Sequence, residues 1–129
     1  MGALPRVVVA DDEVHILDLV SDLVEDLGCE VIRASNGESA LHAVLEHQPA
    51  LVLTDVMMPR MRGDDLCRRL KETPATAGIP VVLLTSLPEA NVAAHCADAF
   101  IPKPFDIEQV ESVVRELLAS DHDTSARED

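Results

Sequence analysis

The sequence predicts an α/β fold in which helices cover both faces of a parallel sheet. Short apolar segments rich in Val, Ile and Leu alternate with segments of helical periodicity five times along the 129 residues. This alternation is typical of parallel strands joined by right-handed helical crossovers. Residues 51–53 are a continuous apolar run that ends in Thr54 and Asp55, as expected for a buried strand whose end meets solvent.

The five predicted strands are runs of aliphatic and β-branched residues bounded by Gly, Pro or charged residues. They cover residues 6–10, 29–34, 51–55, 79–84 and 100–101. The second strand is more polar than the others.

The helical segments between the strands each carry an apolar stripe. The stripes comprise Leu17, Val20, Val24 and Leu27 in the first segment, Ala40, Leu41, Val44 and Leu45 in the second, Leu66 and Leu70 in the third, and Ile107, Val110, Val113, Val114 and Leu117 in the last. Each stripe is expected to face the sheet.

Capping and breaking residues set the helix boundaries. Gly28 suits the position after the first helix, while Asn36 and Asp106 suit the starts of the second and last helices. The third helix is expected from about residue 64 to 72, and a short helix from Pro88 to about residue 96 precedes the last strand.

The length and composition fit one domain with an apolar core, because 47% of the residues are hydrophobic. We expect this domain to span residues 1–120, and residues 121–129, which are polar and aperiodic, to form a disordered tail. No apolar run approaches the roughly 20 residues of a membrane helix, and the N-terminus lacks a signal-peptide pattern. The protein is therefore expected to be a cytoplasmic monomer without a membrane partner, and dimerisation is left open.

Charge and cysteine content argue against several kinds of function and binding site. A net charge of −14 and the absence of Trp and Tyr argue against direct nucleic-acid binding, so proteins and cations are the expected partners. Cys29, Cys67 and Cys96 are odd in number and far apart in sequence, which argues against a disulfide framework or a zinc site and favours buried thiols.

Polar residues that could bind an ion or take part in a reaction follow four different strands. Asp11, Asp55, Thr85 and Lys103 each lie at or just after a strand's carboxyl end. Since these ends meet at one edge of a parallel sheet, the fold alone brings the four residues together. Judged singly, three of them have an ordinary alternative: Asp55 and Thr85 as strand-end residues, and Lys103 as a solvated charge.

The acidic residues predict a divalent-cation site. Asp11, Asp12 and Asp55 would repel one another at close range without a positive partner. Mg²⁺, or Mn²⁺, suits such a site because it binds one or two carboxylates together with water and phosphate oxygens. We expect Asp12 and Asp55 to bind the ion directly, Asp11 to bind directly or through water, and the carbonyl of Met57 to complete the site. This set of candidate ligands contains no histidine, which argues against zinc. The alternative for Asp12 is a helix N-cap.

The same edge predicts phosphoryl transfer. A carboxylate beside Mg²⁺ and an ammonium group can attack phosphorus, which makes Asp55 the expected nucleophile. Lys103 lies between two prolines that restrict its backbone, and Thr85 offers a hydroxyl to a phosphoryl oxygen.

These residues together resemble a known family. Asp-Asp-Glu follows the first strand, Asp with Met-Met-Pro and a later Gly comes after the third, Leu-Thr-Ser after the fourth, and Lys-Pro-Phe after the fifth. Over roughly residues 5–119 the chain resembles the receiver domain of two-component response regulators, such as the chemotaxis regulator. The resemblance implies a flavodoxin-like, doubly wound (βα)5 sandwich whose parallel strands have the order 2-1-3-4-5.

The resemblance also implies roles for individual residues. Asp55 would accept a phosphoryl group from a phosphohistidine of a sensor histidine kinase or histidine phosphotransfer protein, and the switched domain would bind a downstream protein target. Phe100 falls on the family's aromatic switch position, where the alternative is a plain core residue. Val14 and His15 would contact the kinase or phosphotransfer domain, and the Lys103-Pro104 peptide bond would be cis.

Two departures qualify the resemblance. Lys103 follows Thr85 by 18 positions, about one helical turn fewer than usual, so the helix between the last two strands is expected to be short. Met57 and Leu87, each two residues beyond a site residue, are apolar where several members are polar. Without a side chain to orient water, self-dephosphorylation is expected to be slow.

Two other functions stay open at this stage. A phosphatase of the haloacid dehalogenase type also uses a strand-end Asp, but it needs a second Asp where this chain has Met57. A pseudo-receiver, which binds partners without being phosphorylated, does not need the complete set of acidic residues, Thr85 and Lys103.

Overall fold

The computed structural model describes residues 4–88 and 96–128. Its elements in chain order are β1 (Arg6–Ala10), α1 (Val14–Asp26), β2 (Glu30–Ala34), α2 (Gly37–His47), β3 (Leu51–Asp55), α3 (Gly63–Glu72), β4 (Val81–Thr85), β5 (Ala99–Pro102) and α4 (Ile107–Glu128).

The five strands form one parallel sheet in the order β2-β1-β3-β4-β5. The predicted flavodoxin-like fold is therefore confirmed. β3 and β4 are buried along their whole length, as expected for inner strands that helices cover on both faces.

Alternate residues of each strand contribute to two apolar clusters, one on each face of the sheet. In β1, Val7 and Val9 belong to the first cluster, which also contains residues of α1 and α4. Val8 and Ala10 belong to the second cluster, which contains residues of α2 and α3. Helices thus cover both faces, as the alternating pattern predicted.

Most predicted boundaries hold to within two residues. Asn36 is the N-cap of α2, since its side chain accepts the Ser39 N–H at 2.7 Å. Gly28, with a φ of 92°, follows the C-cap residue of α1. The carbonyl of Asp106 accepts the N–H groups of Gln109 and Val110, so α4 begins where predicted. Two stripe residues differ from the prediction, because Leu45 and Ile107 are both exposed. In α2, Ala40 and Val44 form the centre of the buried face.

The C-terminal segment also differs from the prediction. α4 continues through Glu128, whereas residues 121–129 were expected to be disordered. No Gly or Pro interrupts residues 107–128, so nothing in the sequence forces the helix to end earlier. Asp129 and most of the short helix expected after Pro88 lie outside the described residues.

None of the helices within residues 4–88 and 96–128 combines the length and the apolar character that a membrane crossing requires.

Candidate functional site

Strand register places the predicted site residues side by side. Ala10 pairs with Thr54, so the residues that follow them, Asp11 and Asp55, are neighbours. Thr85 pairs with Pro102, which puts Lys103 one residue beyond the end of the sheet. The convergence expected from parallel strands is therefore present at this edge.

Three carboxylates meet at the edge. Asp11, Asp12 and Asp55 each offer an oxygen, and these oxygens lie within 4.8 Å of one another. Asp11 and Asp55 are only 4% and 8% exposed, whereas Asp12 is exposed to solvent. One oxygen of Asp11 has a structural role: the N–H of Glu13 donates to Asp11 Oδ1 at 2.9 Å, which orients that carboxylate. Glu13, not Asp12, occupies the N-cap position of α1, so the capping alternative for Asp12 is wrong.

Lys103 joins the two buried carboxylates. Its Nζ lies 3.2 Å from Asp11 Oδ2 and 3.2 Å from Asp55 Oδ1. Its backbone N–H donates to the carbonyl of Thr85 at 2.9 Å, and the Lys103-Pro104 peptide bond is cis, as the resemblance implied. One ammonium group thus faces two carboxylates, and the site keeps an excess of negative charge.

This imbalance is visible in the pKa of Asp55. Burial and then the charge of Asp11 raise the pKa of Asp55, and the nearby Lys103 offsets this only in part. Burial alone would lower the pKa of Lys103, but Asp55 and Asp11 raise it further, so the net pKa is above its usual value. The site therefore holds a permanent cation next to a carboxylate that is unfavourably ionised without a further positive charge.

The raised pKa predicts that Asp55→Asn stabilises the protein in metal-free buffer. Below the usual carboxyl pKa of 3.8, Asp55 is protonated in both the folded and unfolded states and carries no penalty. As pH rises through the folded pKa, ionisation costs stability in the folded state. We expect the variant to exceed the wild type by about 1–2 kcal/mol at pH 7, the scale of one poorly screened charge contact.

The measurement is urea unfolding of both proteins in EDTA from pH 4 to pH 7. The advantage of Asp55→Asn should grow with pH. A difference that is constant over this range, or a less stable variant at pH 7, would contradict an electrostatic origin. Asp22→Asn, an exposed change on α1, is the matched control.

Gly63, the first residue of α3, lies directly against the backbone of Asp55. A Cβ at Gly63 would overlap the carbonyl oxygen of Asp55 and lie 2.9 Å from its carbonyl carbon. The hydroxyl of Thr54 donates to the same carbonyl at 2.8 Å, and the Gly63 N–H donates to the carbonyl of Val56 at 2.8 Å. The start of α3 thus packs directly on the backbone of Asp55. The sequence shows a Gly eight positions after Asp55, but nothing in it shows this contact.

Other predicted residues lie around the site without joining the carboxylate cluster through a described contact. Thr85 is buried, and its hydroxyl accepts the N–H of Leu87 at 3.1 Å. Phe100 is partly buried and packs against the second apolar cluster. Val14, His15 and the side chain of Met57 are exposed near the loops that carry Asp12 and Asp55.

The donor set fits a hard divalent cation. The three carboxylates supply only oxygen, one of them is open to solvent, and their charge exceeds that of Lys103. Mg²⁺ and Mn²⁺ prefer such ligands and keep several waters. Asp11, Asp12 and Asp55 are therefore the residues able to hold the ion.

Comparison with known proteins identifies the family. The profile of the family described as "Response regulator receiver domain" matches residues 7–115. The chain belongs to this family. A receiver domain of known structure, that of a signal transduction histidine kinase from Syntrophus aciditrophicus, is 32% identical, superposes with a TM-score of 0.84, and is aligned over 90% of this chain and 91% of that one.

Curated relatives are longer proteins. The DNA-binding dual master transcriptional regulator RpaA of Synechocystis is 36% identical over 119 residues, which are 89% of this chain and 49% of that protein. The DNA-binding response regulator MtrA of Mycolicibacterium paratuberculosis is 34% identical over 125 residues, which are 94% of this chain and 54% of that protein. The chain thus spans about half the length of these relatives.

Family membership bears on the earlier alternatives. Receiver domains bind Mg²⁺ at an acidic pocket, and response regulators act with histidine kinases and downstream targets rather than as conventional enzymes. A phosphatase of the haloacid dehalogenase type is not supported. Because both relatives are named as DNA-binding, the absence of nucleic-acid binding stays a prediction for this chain.

Proposed function

We propose that this receiver domain, residues 1–120, is a Mg²⁺-dependent phosphoacceptor switch in which Asp55 receives the phosphoryl group of a phosphohistidine. The observation that carries the proposal is the position of Asp55: it is nearly buried, 3.2 Å from Lys103 and in a cluster with two further carboxylates. A structural aspartate would not need this costly arrangement.

The proposed reaction is an in-line displacement at phosphorus. A carboxylate oxygen of Asp55 forms the new P–O bond while the P–N bond of the phosphohistidine breaks, and the imidazole leaves with its electron pair and takes up a proton. Lys103 lies where it can neutralise a phosphoryl oxygen, and in exchange it gives up part of its contact with Asp55. Bound Mg²⁺ would supply further neutralisation of phosphoryl charge.

We expect Asp12 to contribute to Mg²⁺ binding but little to the stability of the metal-free fold. It is exposed, whereas Asp11 is buried and bonded to the loop and to Lys103. Asp12→Asn should therefore weaken stabilisation of the fold by Mg²⁺ and leave metal-free stability nearly unchanged, while Asp22→Asn on α1 should retain the wild-type response.

The test of the function uses a small phosphodonor, phosphoramidate, with Mg²⁺ and intact-mass analysis. One phosphoryl group should be added to the wild type, and peptide mapping should place it on Asp55. No phosphoryl group should be added when EDTA is present. Wild type that takes up no phosphoryl group, while binding Mg²⁺, would favour the pseudo-receiver alternative. Continuous hydrolysis of a phosphoester would favour an enzyme.

We propose that Thr85 and Phe100 report the phosphorylation to a distant face. The Thr85 hydroxyl would leave the Leu87 N–H to bind a phosphoryl oxygen, and Phe100, which pairs with Leu83 in the neighbouring strand, would turn into the space released. An identical Phe100 rotamer in crystals grown with and without beryllofluoride would contradict this switch.

We predict that phosphorylated Asp55 hydrolyses slowly, with a half-life of minutes or longer. Met57 is 52% exposed, and its sulfur lies 3.5 Å from Arg62 Nη1, while Arg62 also forms two hydrogen bonds to Asp64. A thioether held in this way cannot act as a base toward an attacking water. Met57→Gln should shorten the half-life about 10-fold, within the usual range for a positioned polar group.

The measurement is decay of the phosphoprotein by intact mass after removal of phosphoramidate. Leu45→Gln, an exposed apolar-to-polar change on α2, is the matched control. A wild-type half-life of seconds, or equal decay of the two variants, would contradict the prediction.

The proposed partners are two kinds of protein. A histidine kinase or histidine phosphotransfer protein would dock near Val14 and His15, which are exposed at the start of α1 beside the acidic loop. A downstream protein target would recognise the switched state, and we expect the unphosphorylated chain to be monomeric and cytoplasmic.

A further inference from the structure

The loop between β3 and α3 is closed at its ends and buried at alternate residues. The Gly63 N–H donates to the carbonyl of Val56 at 2.8 Å, so the first residue of the loop meets the start of α3. Val56 and Met58 are buried in the second apolar cluster, whereas Met57 between them is exposed. The buried neighbours on both sides therefore restrict the backbone at Met57, whose carbonyl is the expected Mg²⁺ ligand.

The loop reverses direction in a rare turn centred on Arg60. The Met61 N–H donates to the carbonyl of Pro59 at 2.8 Å, which closes a three-residue turn, and Arg60 at its centre has a φ of 72°. A γ-turn with a positive φ is strained and uncommon for a residue other than Gly. Gln48, the other non-glycine residue with a positive φ in the part of the chain that the structure describes, is an ordinary helix C-cap. Strained residues such as Arg60 persist where the surrounding structure requires them, often beside ligand sites.

The first turn of α2 packs against this γ-turn. A Cβ at Gly37 would overlap the carbonyl oxygen of Met61 and lie 2.6 Å from its Cβ, so the close approach of the helix requires Gly. Beside this contact, Arg60 Nη1 lies 3.3 Å from Glu38 Oε1 in an exposed ion pair. Because exposed ion pairs contribute little, the packing of Gly37 on Met61 is the main restraint on the turn.

We propose that Arg60 and Gly37 are positioning residues for the metal ion. The turn at Arg60, packed against the start of α2, keeps the loop in the conformation in which the Met57 carbonyl binds Mg²⁺ beside the acidic cluster. A loop that is already ordered loses less conformational freedom when the ion binds, so the affinity is higher. The role of both residues rests on the proposed function, because it requires that the ion binds at this cluster.

The test is a matched pair of substitutions that both remove the contact between Arg60 and Glu38. Arg60→Gly can keep a φ of 72° without strain, whereas Arg60→Pro fixes φ near about −65° and cannot form this turn. Binding of Mn²⁺ is measured by electron paramagnetic resonance of the free ion. It should be about 10-fold weaker in Arg60→Pro, as for the loss of a group that orients a metal ligand. Arg60→Gly should stay within about twofold of the wild type, since the lost ion pair is exposed.

A second comparison separates positioning of the loop from a general loss of stability. Gly37→Ala pushes the start of α2 against Met61, while Val24→Ala removes buried methyl groups from the first apolar cluster, on the opposite face of the sheet. Both variants should unfold at lower urea concentration than the wild type in EDTA. Only Gly37→Ala should also bind Mn²⁺ more weakly, by about 10-fold.

Equal Mn²⁺ affinity of Arg60→Pro and Arg60→Gly would overturn the proposal, and so would equal weakening by Val24→Ala and Gly37→Ala. Asp12→Asn, which changes the acidic cluster itself, distinguishes this failure from failure of the proposed function. It should weaken Mn²⁺ binding whether or not the turn matters. A wild type that binds no Mn²⁺ would overturn both the metal site and the positioning role.

Discussion

Asp55→Asn should abolish phosphorylation by phosphoramidate while leaving a folded protein. The amide lacks the anionic oxygen that would form the P–O bond, so the loss should exceed the detection range of mass analysis, at least about 100-fold for removal of a nucleophile. Asn has nearly the shape of Asp. Its amide oxygen can accept the hydrogen bond that Lys103 Nζ donates to Asp55 Oδ1. The loss should therefore be chemical and not structural.

The matched control is Asp65→Asn, because Asp65 is also an aspartate close to the β3–α3 loop but pairs with Arg68 on the surface. It should be phosphorylated as the wild type is. If the Asp55→Asn variant were phosphorylated on another carboxylate, any carboxylate of the cluster, and not Asp55 alone, could accept the phosphoryl group. Together with the higher metal-free stability expected for the same variant, a loss of phosphorylation would mean that Asp55 is kept for function at a cost in stability.

Gly63→Ala should be strongly destabilising and should disturb the site at the same time. The added methyl group would overlap the carbonyl oxygen of Asp55, so either α3 or the end of β3 has to move. Such overpacking against backbone costs about 3 kcal/mol, well above the gain of up to about 1 kcal/mol expected for Ala in a helix. For a domain of this size we expect the Tm to fall by about 10 °C and phosphorylation of the remaining folded protein to slow.

Gly78→Ala provides the comparison, because nothing lies within 4 Å of a Cβ at that position. Its stability should change by no more than about 0.5 kcal/mol. Thermal unfolding measured by circular dichroism distinguishes the two. Equal stability of Gly63→Ala and wild type would mean that the loop between β3 and α3 relaxes freely, and that Gly63 does not hold Asp55 in place.

The sequence predicts the fold well because its main signals are local. The buried strand β3 begins with the continuous apolar run 51–53. Asn36, Gly28 and Asp106 mark helix ends through their own backbone preferences. The site follows from the same signals, since parallel strands bring their carboxyl ends together whatever their side chains are. The meeting of Asp11, Asp55 and Lys103 is a consequence of topology that needs no knowledge of contacts.

Contacts between distant segments could not be predicted in this way. The packing of Gly63 on the backbone of Asp55 depends on where α3 lies on the sheet, to within an ångström or two. Hydrophobic periodicity gives the buried face of a helix but not its position along the strands. The exposure of Leu45 shows the same limit, because an apolar residue at the margin of a helical stripe can face either the core or water.

The two outer strands have a consequence for how copies of this chain meet in a crowded solution. β2 carries charged Glu30 and Arg33, and β5 is only four residues long and ends in Pro102, which has no backbone donor. Edge strands that are short, charged or ended by a proline make it unfavourable for a neighbouring molecule to add a strand to the sheet. Self-association by strand addition, the route to fibrous aggregates, is thereby disfavoured, and recognition between molecules is left to helices and loops.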